Sequence, residues 1–166
     1  MVLNLPVGTI QQQAVSVKTV DLKKQFQNLM NQAFNGYIVV TIEGYAGIEE
    51  GVFLLKNGLL FGSLYEYTNF DITLFGEFAL QQAFNAAAAE FAMMDVCELT
   101  KQQVELIAAF NEKIQLPQQF SAKDIGRFFK QKYDSSFAQK TLKEIVKKEE
   151  SKYDVFKKIG LTDISK

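Results

Sequence analysis

Four glutamates lie near one predicted β-hairpin and are the residues of this sequence that could do chemistry together. Glu43 ends one strand-forming segment, whereas Glu49 and Glu50 begin the next, and a third segment carries Glu66. Carboxylates gathered in this way could bind a hard cation such as Mg²⁺ or Ca²⁺, or form an acid/base pair. The D-x-D-x-D-G pattern of a calcium loop is missing, and charges at the rim of a sheet also discourage edge pairing. We therefore expect solvated rim charges and no metal site.

The composition lacks most of the side chains that enzymes use. There is no histidine, so an imidazole base, a Ser-His-Asp or Cys-His arrangement and a histidine metal ligand are all excluded. Cys97 is the single cysteine and Arg127 the single arginine, which excludes a disulfide, a thiolate zinc site and an arginine cluster. Neither a GxxxxGK[ST] nor a GxGxxG loop is present. We expect a non-enzymatic protein with no catalytic residues, metal or cofactor. An enzyme or small-molecule-binding protein remains an alternative.

Four tyrosines also gather on or near the predicted sheet, at Tyr37, Tyr45, Tyr65 and Tyr67. They could form an aromatic platform for a peptide or for stacked bases, or they could pack between the sheet and its helices. The surrounding sequence is acidic, which opposes binding of a nucleic acid at this surface. We expect packing.

The predicted elements are β-strands and α-helices, which the sequence distinguishes by composition and by the spacing of apolar residues. Residues 37–43, 51–56 and 59–67 have strand composition, and Asn57-Gly58 is a strong signal for a type I′ turn between the last two. Gly62 indicates a bulge or a close backbone approach within the third strand. Helical spacing and capping signals place helices and one further strand around this meander. They predict helices over 19–34 (ended by Asn35-Gly36), 71–89 and from Thr100 onwards, and favour a strand over a continued helix for 91–99.

A break at Pro117 coincides with a change in charge. Residues 1–120 carry 12 acidic and 6 basic side chains, a net charge of −6, whereas residues 121–166 carry 7 acidic and 12 basic side chains, a net charge of +5. The sequence thus predicts an α+β fold in which helices pack an antiparallel β-meander, with a body over residues 1–117 and a basic helical extension over 118–166.

The extension is predicted to contain a helix over 122–133 and a longer one from Ser136, capped with Gln139, to about Ile159. The apolar stripe of the second helix needs a surface to cover it, so we expect it to bind a protein partner or the body. The stripe residues are Leu142, Ile145, Val146, Tyr153, Phe156 and Ile159.

The two helices of the extension also suggest a helix-turn-helix, which presents side chains at the start of its second helix to DNA bases. This alternative function, binding of a nucleic acid, would rest on Lys123, Arg127, Gln139 and Lys140. A helical hairpin that packs on a protein is the simpler interpretation.

The strand, turn and helix order resembles a known family. A helix leads into GYIVVTI (36–42), then EGVFLLKNGLLFGS (50–63), then a helix with FALQQAF (78–84). This resembles the PATAN domain, the N-terminal domain of PatA-type response regulators, and similar uncharacterised archaeal proteins. The resemblance covers residues 20–112 and implies a regulatory or protein–protein interaction role without a catalytic set. No receiver domain is attached, which departs from the PatA arrangement.

These observations lead to one functional expectation. We expect a regulatory or protein–protein interaction module with a protein partner, and homodimerisation through a helix face or a sheet edge is a further alternative. No apolar segment is long enough to span a membrane, and no signal peptide pattern is present, so we expect a cytoplasmic protein.

Overall fold

The computed structural model describes residues 5–158, and within the last helix it describes side chains only as far as Lys148, with Val146 excepted. The chain divides into two compact units, 1–133 and 134–166. The first unit contains the sheet and four helices, and the second contains one long helix. The predicted α+β class is confirmed.

The centre of the sheet is an antiparallel meander. Strands β2 (Gly36–Gly44), β3 (Gly47–Lys56) and β4 (Leu59–Tyr67) pair in order along the chain. Asn57 and Gly58 join the last two with φ angles of 50° and 75°, the positive values that a type I′ turn requires. The register shifts between Leu54 and Leu55, next to Gly62. The predicted meander, turn and irregularity are all confirmed.

Four further strands extend this meander on both sides, and every pairing is antiparallel. On one side β6 (Met93–Glu98) pairs with β2, and β1 (Thr9–Ser16) forms the edge. On the other side β5 (Ile72–Phe75) and β7 (Gln115–Phe120) pair with different parts of β4. The prediction of a strand rather than a helix near residues 91–99 is confirmed.

The helices connect and cover these strands. They are α1 (Leu22–Asn31), α2 (Gly76–Ala86), α3 (Lys101–Phe110), α4 (Ala122–Ile125) and α5 (Ser135–Lys158). Thr100 and Gln103 form the predicted capping box of α3.

The two faces of the sheet have different cores because successive strand residues point to opposite sides. On the first face, to which Ile38 and Phe53 belong, five rings form an aromatic cluster. Its members are Phe26 of α1, Phe53 of β3, Phe84 of α2, and Phe128 and Phe129 beyond α4. The rings of Phe26 and Phe84 lie 4.8 and 4.9 Å from that of Phe53, centroid to centroid, so α1 and α2 are both held to this face.

Helix α2 approaches the sheet closely on this first face. A Cβ at Gly51 would lie 2.8 Å from the Cβ of Ala83, so a larger side chain at either position would push the helix away. The small side chain of Ala83 and the absence of one at Gly51 therefore allow this close packing.

The second face, to which Val39, Val52 and Leu64 belong, is packed by α3. Val104 and Ile107 of this helix join Val52, Leu64 and neighbouring residues in a separate apolar core. Ile114, the last residue of a short 3-10 helix (Glu112–Ile114) after α3, is buried in the same core.

Part of the predicted helix over 71–89 is wrong. Residues 72–75 form β5 instead, and the helix begins only at Gly76. Asp71 (φ 53°) and Gly76 (φ 64°) adopt left-handed conformations at the two ends of this short strand. The residues of this strand include β-branched side chains, and the exposed edge of β4 supplies hydrogen-bonding partners to their backbone. They therefore form a strand, although their apolar spacing alone also fits a helix.

The predicted helix over 122–133 is also wrong, because α4 ends at Ile125 after one turn. Phe128 and Phe129 enter the aromatic cluster, and this packing replaces a continued helix. Ser121 and Asp124 form the expected capping box.

Two smaller features also differ. Helix α1 ends at Asn31, with Ala33 in the left-handed region (φ 53°), so Asn35-Gly36 does not end it. The predicted boundary between body and extension, at residues 117 and 118, falls inside β7, which pairs with β4 as part of the sheet.

Two phenylalanines of α2 test the importance of the aromatic cluster. Phe84 is 1% exposed and Phe78 is 76% exposed. Phe84→Ala should lower the free energy of unfolding by about 3–5 kcal/mol because it leaves a cavity among four rings. Phe78→Ala should change it by less than about 0.5 kcal/mol. Urea denaturation measures both, and equal losses in the two variants would contradict this account of the core.

Candidate binding groove

A groove of about 430 Å³ lies on the second face of the sheet, beside the core that α3 covers. Strands β1, β6, β2 and β3 all contribute to it. Its lining includes Leu5, Val7, Ile10, Tyr37, Val39, Glu50 and Asp95.

The apolar wall is held in place by hydrogen bonds to the chain that precedes β1. Tyr37 donates its hydroxyl to the carbonyl oxygen of Pro6 at 3.2 Å, and the backbone N–H of Gly8 lies 3.3 Å from Sγ of Cys97. These two contacts place Val7 and Ile10 at the mouth of the groove, where both are exposed. Cys97 itself is buried.

Two carboxylates line the same groove. Thr41 of β2 pairs with Glu50 of β3, and Val39 pairs with Asp95 of β6, so both acidic residues belong to the second face. The Oδ1 atom of Asp95 accepts the N–H of Ala14 at 2.6 Å, which fixes this carboxylate against an irregular part of β1.

Glu50 is in an unfavourable environment for a negative charge. Burial raises the pKa of its carboxyl, and the charge of Glu66, its cross-strand partner, raises it further. The positive charge of the N-terminus and a hydrogen bond with Thr41 lower the pKa in part, and the charge of Asp95 raises it. A cation that entered the groove would relieve this repulsion.

Glu49, the preceding residue, points to the opposite face and is fully buried. Its Oε2 atom accepts the hydroxyl of Tyr65 at 2.5 Å, and its Oε1 atom accepts the N–H of Ala46 at 2.9 Å. The expectation of solvated rim charges is therefore wrong for Glu49, and wrong also for the buried Glu66, although Glu43 is exposed. Through these hydrogen bonds, Glu49 stabilises the β2–β3 hairpin from its buried side.

The tyrosines mostly pack, as expected. Tyr65 and Tyr67 are buried, with their rings 5.2 Å apart, and Tyr37 is half-buried. Burial raises the pKa of both Tyr65 and Tyr67, and the nearby Glu49 raises it further. Tyr45 is exposed, and its backbone N–H donates to the hydroxyl of Tyr133 at 3.0 Å.

The acidic residues do not form a multidentate metal site in the part of the chain that the structure describes. No three side chains among the His, Cys, Asp and Glu residues of that part lie together in a way that could hold a metal ion. Across the same part, no helix is long and apolar enough to cross a membrane.

The predicted partner-binding residues lie on α5, in the second unit. Leu142 is buried and Ile145 is half-buried. Val146, Tyr153 and Phe156 belong to the same helix, but their side chains lie outside the described residues, as does the whole of Ile159. A role of this stripe in partner binding stays a prediction.

The residues of the nucleic-acid alternative divide between the two units. Lys123 and Arg127 lie at α4 and are exposed, whereas Gln139 and Lys140 lie on α5. The guanidinium of Arg127 lies 5.0 Å from the ring centroid of Phe128, a cation–π contact. Because α4 is a single turn, the first helix of the suggested helix-turn-helix does not form.

Sequence reasoning missed the groove residues Val39 and Asp95. One signal was available, because Asp95 interrupts the apolar strand segment at 92–97 at a position where an inward-facing side chain would be apolar. The pairing of β6 with β2, which brings Asp95 onto the face of Glu50, is a long-range contact that no local pattern predicts.

Substitutions at two tyrosines test the buried hydrogen bond. Tyr65→Phe should lower the free energy of unfolding by roughly 1.5–3 kcal/mol, because it leaves the buried Glu49 carboxylate without its hydroxyl donor. Tyr45→Phe removes an exposed hydroxyl and should have little effect. Chemical denaturation of both variants measures the difference, and a neutral Tyr65→Phe would show that the bond does not stabilise the hairpin.

Glu50→Gln tests the repulsion in the groove. The pKa of Glu50 is raised in the folded chain, so its ionised form opposes folding when the pH lies above both the folded and unfolded pKa values. E50Q should therefore raise Tm near neutral pH. This gain should shrink as the pH falls through the raised pKa, and vanish below the unfolded value, where Glu50 is protonated in both states.

Thermal denaturation followed by circular dichroism across this pH range measures the effect. Glu43→Gln, which changes an exposed glutamate near the same hairpin, is the matched control and should leave Tm nearly constant. A gain for E50Q that did not change with pH would contradict the electrostatic explanation.

Comparison with known proteins identifies one family. Residues 3–111 match a family model described as an uncharacterized protein conserved in archaea (DUF2226). No curated protein and no solved structure matches the chain. The match supports the resemblance to uncharacterised archaeal proteins, whereas the PATAN resemblance stays a prediction. The matched residues include β1 to β6 and α1 to α3, and therefore the whole groove. Since the match covers more than half of the sequence, the chain belongs to this family of uncharacterized proteins conserved in archaea.

Proposed function

We propose that this protein is a non-enzymatic protein-interaction module and that the groove on the second face of the sheet is its docking site. The observation that carries the proposal is the unequal covering of that face. Helix α3 packs one part of it, and beside that part an apolar groove about 430 Å³ in size faces solvent.

The groove is suited to a protein surface. Val7, Ile10 and Met93 are exposed apolar side chains on or beside the groove strands. Burying apolar area against a partner is favourable, and a paired sheet loses little conformational freedom when it binds. The resemblance to the PATAN domain supports a regulatory use of such an interaction.

The groove chemistry supports binding rather than catalysis. Its charged side chains are two carboxylates, its other polar groups include Gln13 and the hydroxyl of Tyr37, and the sequence supplies no histidine that could act with them. A small-molecule ligand is the second candidate, because a groove of this volume lies within the range of pockets that hold such ligands. An intact mass spectrum of the native protein distinguishes this candidate by showing a retained ligand.

The test compares two double variants of the full chain. V7K/I10K places two lysines at the mouth of the groove, where Val7 and Ile10 are 82% and 54% exposed. L106K/F110K makes the same change at two residues of α3 that are 56% and 81% exposed. Both variants replace exposed apolar side chains, so they should fold equally well.

Affinity capture from a nuclease-treated lysate of the source organism, followed by mass spectrometry, measures partner binding. We expect the wild-type protein and L106K/F110K to retain the same partner, and V7K/I10K to lose at least about nine-tenths of it. Equal retention by V7K/I10K would remove the groove from the interaction. Loss of the partner after nuclease treatment of the wild-type sample would instead favour a nucleic acid.

A further inference from the structure

We infer that the groove binds an arginine side chain carried by an apolar segment of the partner protein, with Glu50 and Asp95 as its two acceptors. This inference rests on the proposed function and names the chemistry of the partner. Charge complementarity identifies the occupant, because the two charged side chains that line this mostly apolar groove are both carboxylates.

The carboxylates of the groove have no lysine or arginine partner among the described ion pairs. Those pairs are formed by Lys18, Lys24 and Lys56 with acidic residues elsewhere. The side chains of Glu66 and Asp95 act on Glu50 with negative charge, and the positive charge of the chain's own N-terminus offsets only part of the effect, because the pKa of Glu50 stays raised. A cation from outside the chain would therefore find acceptors that no described basic side chain neutralises.

The spacing of the two acceptors favours arginine over lysine. Glu50 lies on β3 and Asp95 on β6, with β2 between them, so their strands are about 9–10 Å apart at the usual strand spacing. The two residues are also offset by two positions along the strands, because Glu50 is opposite Thr41 and Asp95 is opposite Val39, so the acceptors have to be bridged diagonally. A planar guanidinium with five N–H donors can reach acceptors on two sides, whereas an ammonium group is a compact point charge. Thr41, which pairs with Glu50, lies on the strand between them.

The apolar part of the groove determines which side chains of the partner can lie beside the arginine. Leu5, Val7 and Ile10 form the wall toward the edge of the sheet, and Tyr37 and Val39 form its floor. Apolar side chains that flank the arginine would be buried against these residues. The partner is thus an apolar segment with one arginine, and a strongly acidic segment is excluded by repulsion.

Two matched peptides test the inference directly. Both are blocked, fluorescein-labelled heptapeptides with valines and leucines around one central residue, which is arginine in the first and citrulline in the second. Citrulline has nearly the same shape but no charge. We expect the arginine peptide to bind about tenfold more tightly in a fluorescence anisotropy titration, and a lysine peptide to fall between them.

The same titration with E50Q should reduce the tenfold preference to about threefold or less, because one charged acceptor is lost. E43Q, which removes an equal charge from an exposed site, should keep the preference. E50Q is expected to be at least as stable as the wild-type protein near neutral pH, so its weaker binding cannot be ascribed to unfolding.

Equal affinity for the arginine and citrulline peptides, no binding of either one, or an equal loss in E50Q and E43Q would each overturn the inference. These outcomes are distinct from failure of the proposed function. If V7K/I10K still loses the captured partner while the two peptides bind alike, the groove is the docking site but does not select a cation. If V7K/I10K also keeps its partner, both proposals fail.

Discussion

The aromatic cluster on the first face of the sheet is the interaction on which the rest of this structure depends. Phe53 receives one ring from α1 and another from α2, and Phe84 in turn stacks against Phe128. The cluster thus brings residues from both ends of the first unit to the same side of the sheet. The second face receives α3, and the groove lies where that helix does not reach. The two faces are thus covered by different helices, and the groove lies on the face that α3 packs only in part.

Glu49 and Glu50 are consecutive in the sequence, but their side chains lie on opposite faces of the sheet and in different environments. Side chains alternate along a strand, so Glu49 points into the first face and Glu50 into the groove. Glu49 is buried but accepts two hydrogen bonds, which stabilise the hairpin. Glu50 is partly buried beside the negative charges of Glu66 and Asp95, and the positive charge of the N-terminus offsets this only in part, so the pKa of its carboxyl stays raised. The same residue type thus stabilises the fold at one position and supplies a binding group at the next.

The sequence predicted the elements that local chemistry determines. The β2–β4 meander follows from strand composition and from Asn57-Gly58, and the start of α3 follows from its capping box. The failures lie where distant parts of the chain compete with local spacing. Residues 72–75 fit a helical apolar pattern, but the free edge of β4 pairs with them. The helix predicted to continue from α4 stops because two phenylalanines pack into the aromatic cluster. The groove depends on the β2–β6 pairing, which joins residues more than fifty positions apart, and no local signal encodes it.

Two surfaces were considered for binding, the groove and the apolar stripe of α5, and the family match covers only the groove. It includes every strand of the groove and ends at residue 111, before β7 and the basic extension begin. The apolar stripe predicted from Leu142 onwards therefore lies outside the part of the chain by which the family is defined. An interaction common to the family has to use the segment that the family model covers, and in this chain that segment contains the groove. The extension, with its net charge of +5, lies outside that segment and differs in charge from the groove, whose charged side chains are both acidic.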